Sequence, residues 1–393
     1  MQAMSNLNQN IHTVIICISD TYLARGHILA DFYAQHGEST LILTPDFSHS
    51  HKKIIEQKED GVMYLHHRRY SKNLSWQRIY GHIEFAKLAR QVVEQIQPQR
   101  IHCLVPANSL AKQMDRYKKD HPQVELIFDI NDLWPESLPI PGFEYTPFSW
   151  YWKNLRNHHV SRANHVFVEC QLFHDVLQKQ IGLDSNVLYW SRKGNDEQVD
   201  VSLLPELRTQ EKPTLSLCYL GSANNIIDLA YMKEFLEQLS QKIKIDFHVI
   251  ANGAKKQEMM DTLKPFVHVI DHGLVYDAKQ KQDIFRQCHF GLNMMKSSVC
   301  IGLSMKSIDY LEAGLPILNT LQGDLHTWIE QQNCGINLDR QQIEADISKV
   351  LHLVQDVKTQ ERMRMNARTL FEEKLSLQAF YSRLETIYSS RQK

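Results

Sequence analysis

Residues 302–316 read Gly-Leu-Ser-Met-Lys-Ser-Ile-Asp-Tyr-Leu-Glu-Ala-Gly-Leu-Pro, residue types whose spacing suits the binding of an anion. A glycine turn at Gly302 precedes a helix predicted to begin near Ser304. The first-turn amides of such a helix, around Ser304 and Met305, have no partner within the helix and are free to bind an anion. Lys306 stands in that first turn, a poor place for a cation unless something negative is bound there. Asp309 follows three residues on, one turn along the same side. Amides and a lysine for a diphosphate, with a carboxylate for the vicinal hydroxyls of a neighbouring ribose, is chemistry this pattern could perform. The plainer alternative is a solvated ion pair at the helix end. Gly314 and Pro316 stop the helix before a short strand.

Other chemistries lack their residues. The first predicted strand ends Ile18-Ser19-Asp20-Thr21 with no GxGxxG after it, which argues against a nicotinamide dehydrogenase. The sequence has no P-loop, no GxSxG elbow, no HExxH and no clustered Cys/His ligand set. The pairs His66-His67 and His158-His159 would face different ways on a helix, so no metal site is expected. Seven cysteines lie far apart, mostly in apolar runs and without a CxxC, which suits buried free thiols in a reducing cytosol.

The elements that must position the 302–316 stretch follow from hydrophobic pattern. Short β-branched runs at 13–18, 40–43, 62–65, 101–105, 124–128 and 165–169 alternate with amphipathic stretches. The clearest of these is 83–96, which places Phe85, Ala89, Val92, Val93 and Ile96 on one face before Pro98. The segment 191–213 turns polar and reads as a linker. Alternation resumes at 214–220, 245–250, 267–270, 288–293, 316–318 and 335–338, and the chain is mostly helical from 341. Such alternation predicts parallel sheets, and 393 residues suit about two domains. A hydrophobic content of 43% and a formal net charge of −1 indicate a globular protein with no global attraction to nucleic acid or anionic membrane. The polar N-terminus does not read as a secretory signal, and no apolar run approaches the roughly 20 residues of a membrane span. A cytoplasmic location is expected.

The run Lys306-Ser307-Ile308-Asp309-Tyr310-Leu311-Glu312-Ala313-Gly314-Leu315-Pro316-Ile317 resembles the donor-site motif of family 4 glycosyltransferases, especially bacterial capsule and O-antigen members. Asn319-Thr320, Gly323-Asp324 and Asn333-Cys334-Gly335 follow at the spacing that family shows. Asp309 matches the second carboxylate of the family's paired-Glu motif, which holds the donor ribose. Ile301 stands where the fuller motif has its first Glu, a departure shared by a subset with a lysine near the helix start. Tyr219-Leu220-Gly221-Ser222 is similar to the glycine turn that approaches the donor phosphates. Ile250-Ala251-Asn252-Gly253 resembles the neighbouring strand end, and His272-Gly273-Leu274-Val275 the segment whose backbone reads the nucleobase. In the first half, Phe128-Asp129-Ile130-Asn131-Asp132-Leu133-Trp134-Pro135-Glu136-Ser137 resembles the strand end ahead of the catalytic centre. Many relatives have His where Asn131 stands. Ala24-Arg25-Gly26-His27 resembles the loop facing the transferring sugar.

The resemblance spans about residues 13–388. It implies an α/β protein of the GT-B type, two Rossmann-like, doubly wound parallel-sheet domains facing a central cleft. Residues 1–190 would form the acceptor side, 191–370 the nucleotide-sugar domain, and 371–393 a helix returning to the first domain. It implies a retaining, metal-independent transfer in surface-polysaccharide synthesis, with a nucleotide-sugar donor, UDP-sugar first among them, and no further cofactor. Catalytic candidates are Arg25, Gly26, Asn131 and Asp132; donor-binding candidates are Gly221, Ser222, Asn252, Gly273, Val275, Gly302, Ser304, Met305, Lys306 and Asp309.

Asn108 or Ser109, at another strand end, could contact acceptor or donor hydroxyls. The plainer readings are Asn131 and Asp132 as turn formers, Arg25 and Gly26 as a helix start with Gly26 as its cap, and Asn108 and Ser109 as an N-cap. The acceptor would be a saccharide or lipid-linked saccharide. The basic run His66-His67-Arg68-Arg69-Tyr70-Ser71-Lys72 is a solvated face, a contact with anionic lipid at the inner face of the plasma membrane, or a grip on an acceptor's pyrophosphate. The aromatics Phe143, Tyr145, Phe148, Trp150, Tyr151 and Trp152 read first as packing. Two other classes stay open. A nucleotide-sugar epimerase would need acid and base groups in the cleft, and a catalytically silent partner subunit would fit Ile301.

Overall fold

The computed structural model describes residues 10–138, 140, 142–191 and 214–389, so the stretch read as a linker lies outside the described residues from 192 onward. The chain divides into two compact units. The first runs up to Ser191 and takes the chain up again at Arg383; the second ends at Ser382.

In the first unit the order is β1 (Thr13–Ile16), α1 (Leu23–Gln35), β2 (Thr40–Pro45), β3 (Val62–Leu65), α2 (Trp76–Ile96), β4 (Arg100–Val105) and α3 (Asn108–Asp120). There follow β5 (Glu125–Ile130), α4 (Pro147–Val160), β6 (His165–Val168), α5 (Gln171–Ile181) and β7 (Asn186–Val187). Among the described residues these form a seven-stranded sheet ordered β3-β2-β1-β4-β5-β6-β7. Every ladder in it is parallel. The strands are short and apolar along their whole length because both faces are covered; all four residues of β1 and of β6 are buried. With right-handed crossovers, the reversal of order at β1 and β4 sends helices to opposite faces.

The second unit repeats the architecture: β8 (Thr214–Ser222), α6 (Leu229–Ser240), β9 (Lys244–Asn252), α7 (Lys256–Leu263), β10 (His268–Gly273), α8 (Ala278–Arg286) and β11 (Phe290–Asn293). Then come α9 (Met305–Glu312), β12 (Ile317–Asn319), α10 (Asp324–Gln332), β13 (Gly335–Asn337), α11 (Ile343–Gln355), α12 (Val357–Lys374) and α13 (Leu377–Ser389). The sheet order is β10-β9-β8-β11-β12-β13, again with parallel ladders. Its core joins Leu217, Tyr219, Phe247 and Leu292 of the strands to Met232, Phe235 and Leu239 of α6.

The returning segment expected from 371 is divided differently in the structure. α12 runs through 371, and the passage to the first unit falls at Arg383, inside α13. There Tyr388 meets Tyr33 through their hydroxyls at 2.8 Å, and Leu384 is fully buried.

Each predicted strand is present, with ends shifted by at most three residues and the ends of β3 unshifted. Two features were not predicted. β7 is only two residues long, too short for a periodicity to show. α2 starts seven residues before 83, because Ser75 accepts a hydrogen bond from Arg78 N at 3.4 Å and caps it. The turn Trp76-Gln77-Arg78 that follows carries no apolar stripe.

Candidate functional site

In the second sheet the strand order reverses between β8 and β11. Open α/β sheets bind ligands there, beyond the carboxyl ends of the strands. The N-terminus of α9 is tied to this point by a row of asparagines. Asn293, Asn319 and Asn337 are in register at the ends of β11, β12 and β13. Asn293 Nδ2 donates to Asn319 Oδ1 and Asn319 Nδ2 to Asn337 Oδ1, each at 2.9 Å. Asn293 Oδ1 in turn accepts from Ser304 Oγ at 2.9 Å. The Ser304 hydroxyl is thus drawn to Asn293 and to Ser307, and it does not cap the helix that starts at Met305. Tyr310 clamps the other side of α9. Its hydroxyl accepts from Leu220 N at 2.7 Å and donates to Cys218 O at 3.1 Å. Its ring lies on Gly291, where a Cβ would come within 2.6 Å of it.

Between these anchors stands Lys306, 8% exposed. Its Nζ lies 4.2 Å from the centre of the Tyr219 ring, and its Cε is 3.7 Å from the place a Cβ would take on Gly221. Gly221 has φ 114°, a conformation only glycine adopts without strain. Among the described residues Lys306 has no hydrogen-bond acceptor and no carboxylate within ion-pair distance. Burial pushes its pKa down to about 7. The solvated ion pair with Asp309 is therefore not what forms. Asp309 is also buried, and its Oδ1 receives Lys281 Nζ of α8 at 3.2 Å.

The remaining donor candidates line the same edge of the sheet. Gly302 is buried and accepts from Leu325 N, while Met305 is 41% exposed. Ser222 and Asn252 are directly paired at the ends of β8 and β9, and Asn252 O receives Ala223 N at 2.7 Å. Gly273 ends β10 at φ 67° after a bulge, its amide donating to Asp271 Oδ1. It lies two strands from Gly221, about 10 Å at ordinary strand spacing. Val275 is half-buried between the exposed Leu274 and Tyr276.

The first unit gathers its candidates differently. Arg25 and Gly26 lie within α1 rather than in a loop, and Tyr22 precedes the helix, so Gly26 is not its cap. A Cβ on Gly26 would come 2.8 Å from Cys17 Sγ, so the glycine lets α1 settle on the end of β1. Arg25 Nε donates to Asp129 Oδ2 at 2.7 Å and its NH2 to Asp129 Oδ1 at 3.0 Å. The carbonyls of Leu188 and Tyr189 take two further bonds. Burial alone would raise the Asp129 pKa, but Arg25 and His102 hold it below the ordinary carboxylate value. The guanidinium is 1% exposed and fully engaged.

Asn131, 5% exposed, donates to Asp129 O at 2.8 Å, while its Oδ1 is buried without a partner among the described residues. Asp132 accepts from Trp134 Nε1 at 2.7 Å and from Ser137 Oγ, which shapes the turn after β5; burial raises its pKa. Asn108 is the first residue of α3, after Ala107, and gives its amide to Trp152 O at 2.9 Å. Ser109 donates to His82 O.

The basic run 66–72 does not form one face. His67 and Tyr70 point into the core, and Arg68 pairs with Glu84 at 2.6 Å, which leaves His66, Arg69 and Lys72 outward. All seven cysteines are free thiols, six of them buried. Among the described residues no group of three or more His, Cys, Asp or Glu side chains could hold a metal ion. No helix there is long and apolar enough to cross a membrane.

Sequence reasoning missed Lys281, the asparagine row and the Tyr310 clamp. The one available signal was the repetition of Asn at the ends of three successive short apolar runs. Tyr310 itself could not be distinguished from a core aromatic.

No family model matches the sequence, and no curated protein matches it significantly. Its structure is similar to sucrose-phosphate synthase of Thermosynechococcus elongatus, with TM-score 0.69, 9% identity, and 96% of this chain and 98% of that one covered. It is also similar to Anabaena HepE in complex with UDP and glucose, with TM-score 0.66, 12% identity and coverages of 97% and 100%. The lipopolysaccharide outer core galactosyltransferase WaaB gives TM-score 0.67, 12% identity and coverages of 97% and 99%. With two parallel-sheet α/β units and these neighbours over nearly its whole length, the chain has the GT-B fold.

Proposed function

We propose that the protein is a glycosyltransferase. It would move a sugar from a nucleoside-diphosphate donor, UDP-sugar first among them, to a saccharide or lipid-linked saccharide in surface-polysaccharide synthesis. The observation that carries this reading is Lys306, a buried amine without an anionic partner among the described residues, held over Gly221 at the switch point of the second sheet. A buried cation is expensive unless paired, and a diphosphate at this place supplies the pairing. Solved GT-B structures add support, since HepE is known in complex with UDP and with UDP-glucose.

In this reading an acceptor oxygen bonds to the anomeric carbon as that carbon's bond to the diphosphate oxygen breaks; negative charge grows on the leaving nucleoside diphosphate, which takes up the acceptor's proton. The charged Lys306 and the amides at the start of α9 stabilise that charge in place, as preorganised electrostatics. The transfer retains anomeric configuration and needs no metal. The first unit holds the acceptor, and Asn131, with its free buried Oδ1, meets positive character at the sugar. The protein works in the cytoplasm.

The test is thermal stabilisation by nucleoside diphosphates and their sugars, with and without magnesium. A ligand at 100 times its dissociation constant adds about 2.7 kcal/mol, so a uridine compound should raise Tm clearly without metal. Lys306→Met should abolish that rise. No rise with any nucleotide at millimolar concentration would sink the reading and favour the silent partner subunit, to which Ile301 points.

A further inference from the structure

The first unit contains a cavity of about 440 Å³ between the start of α2 and the segment leading into α4. Its walls are apolar and largely aromatic: Leu74, Trp76, Ile79, Phe148 and Trp152 are among them. Trp76 packs edge-on against Phe148, and Phe148 against Trp152, at 5.8 and 5.2 Å between ring centres. Leu74 and Trp76 nevertheless remain 61% and 64% exposed at its rim, apolar surface that water covers poorly.

One end of this cavity is cationic. Arg78 lines it, its guanidinium 4.8 Å from the Trp134 ring, and its Nε is buried with no hydrogen-bond partner among the described residues. Asn73 holds two cations at this end, accepting from Arg78 NH1 through its carbonyl and from Lys52 Nζ through its side chain. Neither cation has a carboxylate within ion-pair distance among the described residues. The nearby carboxylates are already engaged, Asp20 by Ser48 Oγ and His49 N, and Asp132 by Trp134 and Ser137.

We propose that this cavity binds a long-chain lipid phosphate, with the phosphate at Arg78, on the side where Lys52 stands behind Asn73, and the aliphatic chain along Leu74, Trp76 and Phe148. A neutral alcohol leaves the partly buried Arg78 without an anion for its buried Nε, and inorganic phosphate leaves the aromatic walls wet. A phosphate monoester of an aliphatic chain satisfies both ends, as an amphiphile should in a cavity of this size. The cavity would then hold the lipid-phosphate end of a lipid-linked saccharide acceptor, which rests on the reading of the first unit as the acceptor side.

The experiment titrates the full chain with decyl phosphate below its micelle concentration and follows the fluorescence of the lining tryptophans. Saturable binding should appear, weakening about tenfold for every two methylenes removed. Arg78→Gln should weaken it about tenfold or more. Trp76→Ala, a change at an exposed side chain the core does not need, should weaken it severalfold. The proposal is overturned if decyl phosphate binds no more tightly than inorganic phosphate, or if both variants bind as the natural protein does. It is equally overturned if the protein binds phosphatidylglycerol vesicles but ignores the monomeric amphiphile, since the face would then be a bilayer contact. Stabilisation by UDP-glucose is read on the same preparations. Donor binding without decyl phosphate binding sinks only this inference, and the reverse sinks only the transferase reading.

Discussion

Arg25 and Lys306 are both buried cations in the first turn of a helix at the carboxyl edge of a parallel sheet, and their surroundings differ completely. Arg25 makes two bonds to Asp129 and two to backbone carbonyls, so its charge and geometry are satisfied within the chain. Lys306 has an aromatic face and a glycine for neighbours, and its pKa falls to about 7. A cation whose partners are internal is an element of the fold. One held in place by a tyrosine clamp and an asparagine row, with no anionic partner among the described residues, is the one we propose for binding. Motif matching alone assigned Arg25 and Lys306 alike to the site; the hydrogen bonds separate them.

The largest effect should come from breaking the satisfied member. Arg25→Ala leaves the Asp129 carboxylate buried without its counter-charge and should cost about 3–5 kcal/mol in chemical denaturation. The loss should be smaller at acid pH, where Asp129 can take a proton. A loss under 1 kcal/mol would mean that Arg25 is not part of the structural frame.

The opposite sign is expected at the second cation. Lys306→Met removes a charge that burial disfavours and should stabilise the unliganded protein by on the order of 3 kcal/mol at pH 6. Because the folded-state pKa lies below that of an unfolded lysine, the natural protein binds fewer protons when folded between about 7 and 10.5. Its stability therefore rises with pH across that window, and the advantage of the variant shrinks towards pH 10.5. A destabilised variant would show that Lys306 has a structural partner after all.

A smaller effect sharpens the contrast. UDP-glucose carries a diphosphate with no proton to lose near neutrality, so the pH dependence of its binding reports Lys306. With a free-state pKa of about 7, affinity should be level below pH 6.5 and about tenfold weaker at pH 8, with proton uptake on binding seen by calorimetry. Affinity constant from pH 6 to pH 8 would remove Lys306 from the phosphate site.

Much of this was legible in the sequence because it is local. The parallel strands announce themselves as short apolar runs such as Thr13–Ile16. Gly314 and Pro316 mark the end of α9, and the 302–316 pattern places its start beside Ser304, with Lys306 in the first turn. Less legible were features set by sequence-distant contacts. The 66–72 run looks uniformly basic, yet burial of His67 and Tyr70 divides it. Phe143, Phe148 and Trp152 read as packing, and they do pack, but around a cavity.

The sequence by itself determined the α/β alternation, the glycine at position 221 and the lysine at the start of α9, since each depends on residue type and near neighbours. Only the tertiary structure decided which charges are spent. Asp129 reaches Arg25 across 104 residues, and Lys281 reaches Asp309 across 28. Whether a buried charge supports the fold or awaits a ligand depends on such partners, because in a low-dielectric interior the partner, not the residue type, sets the free energy.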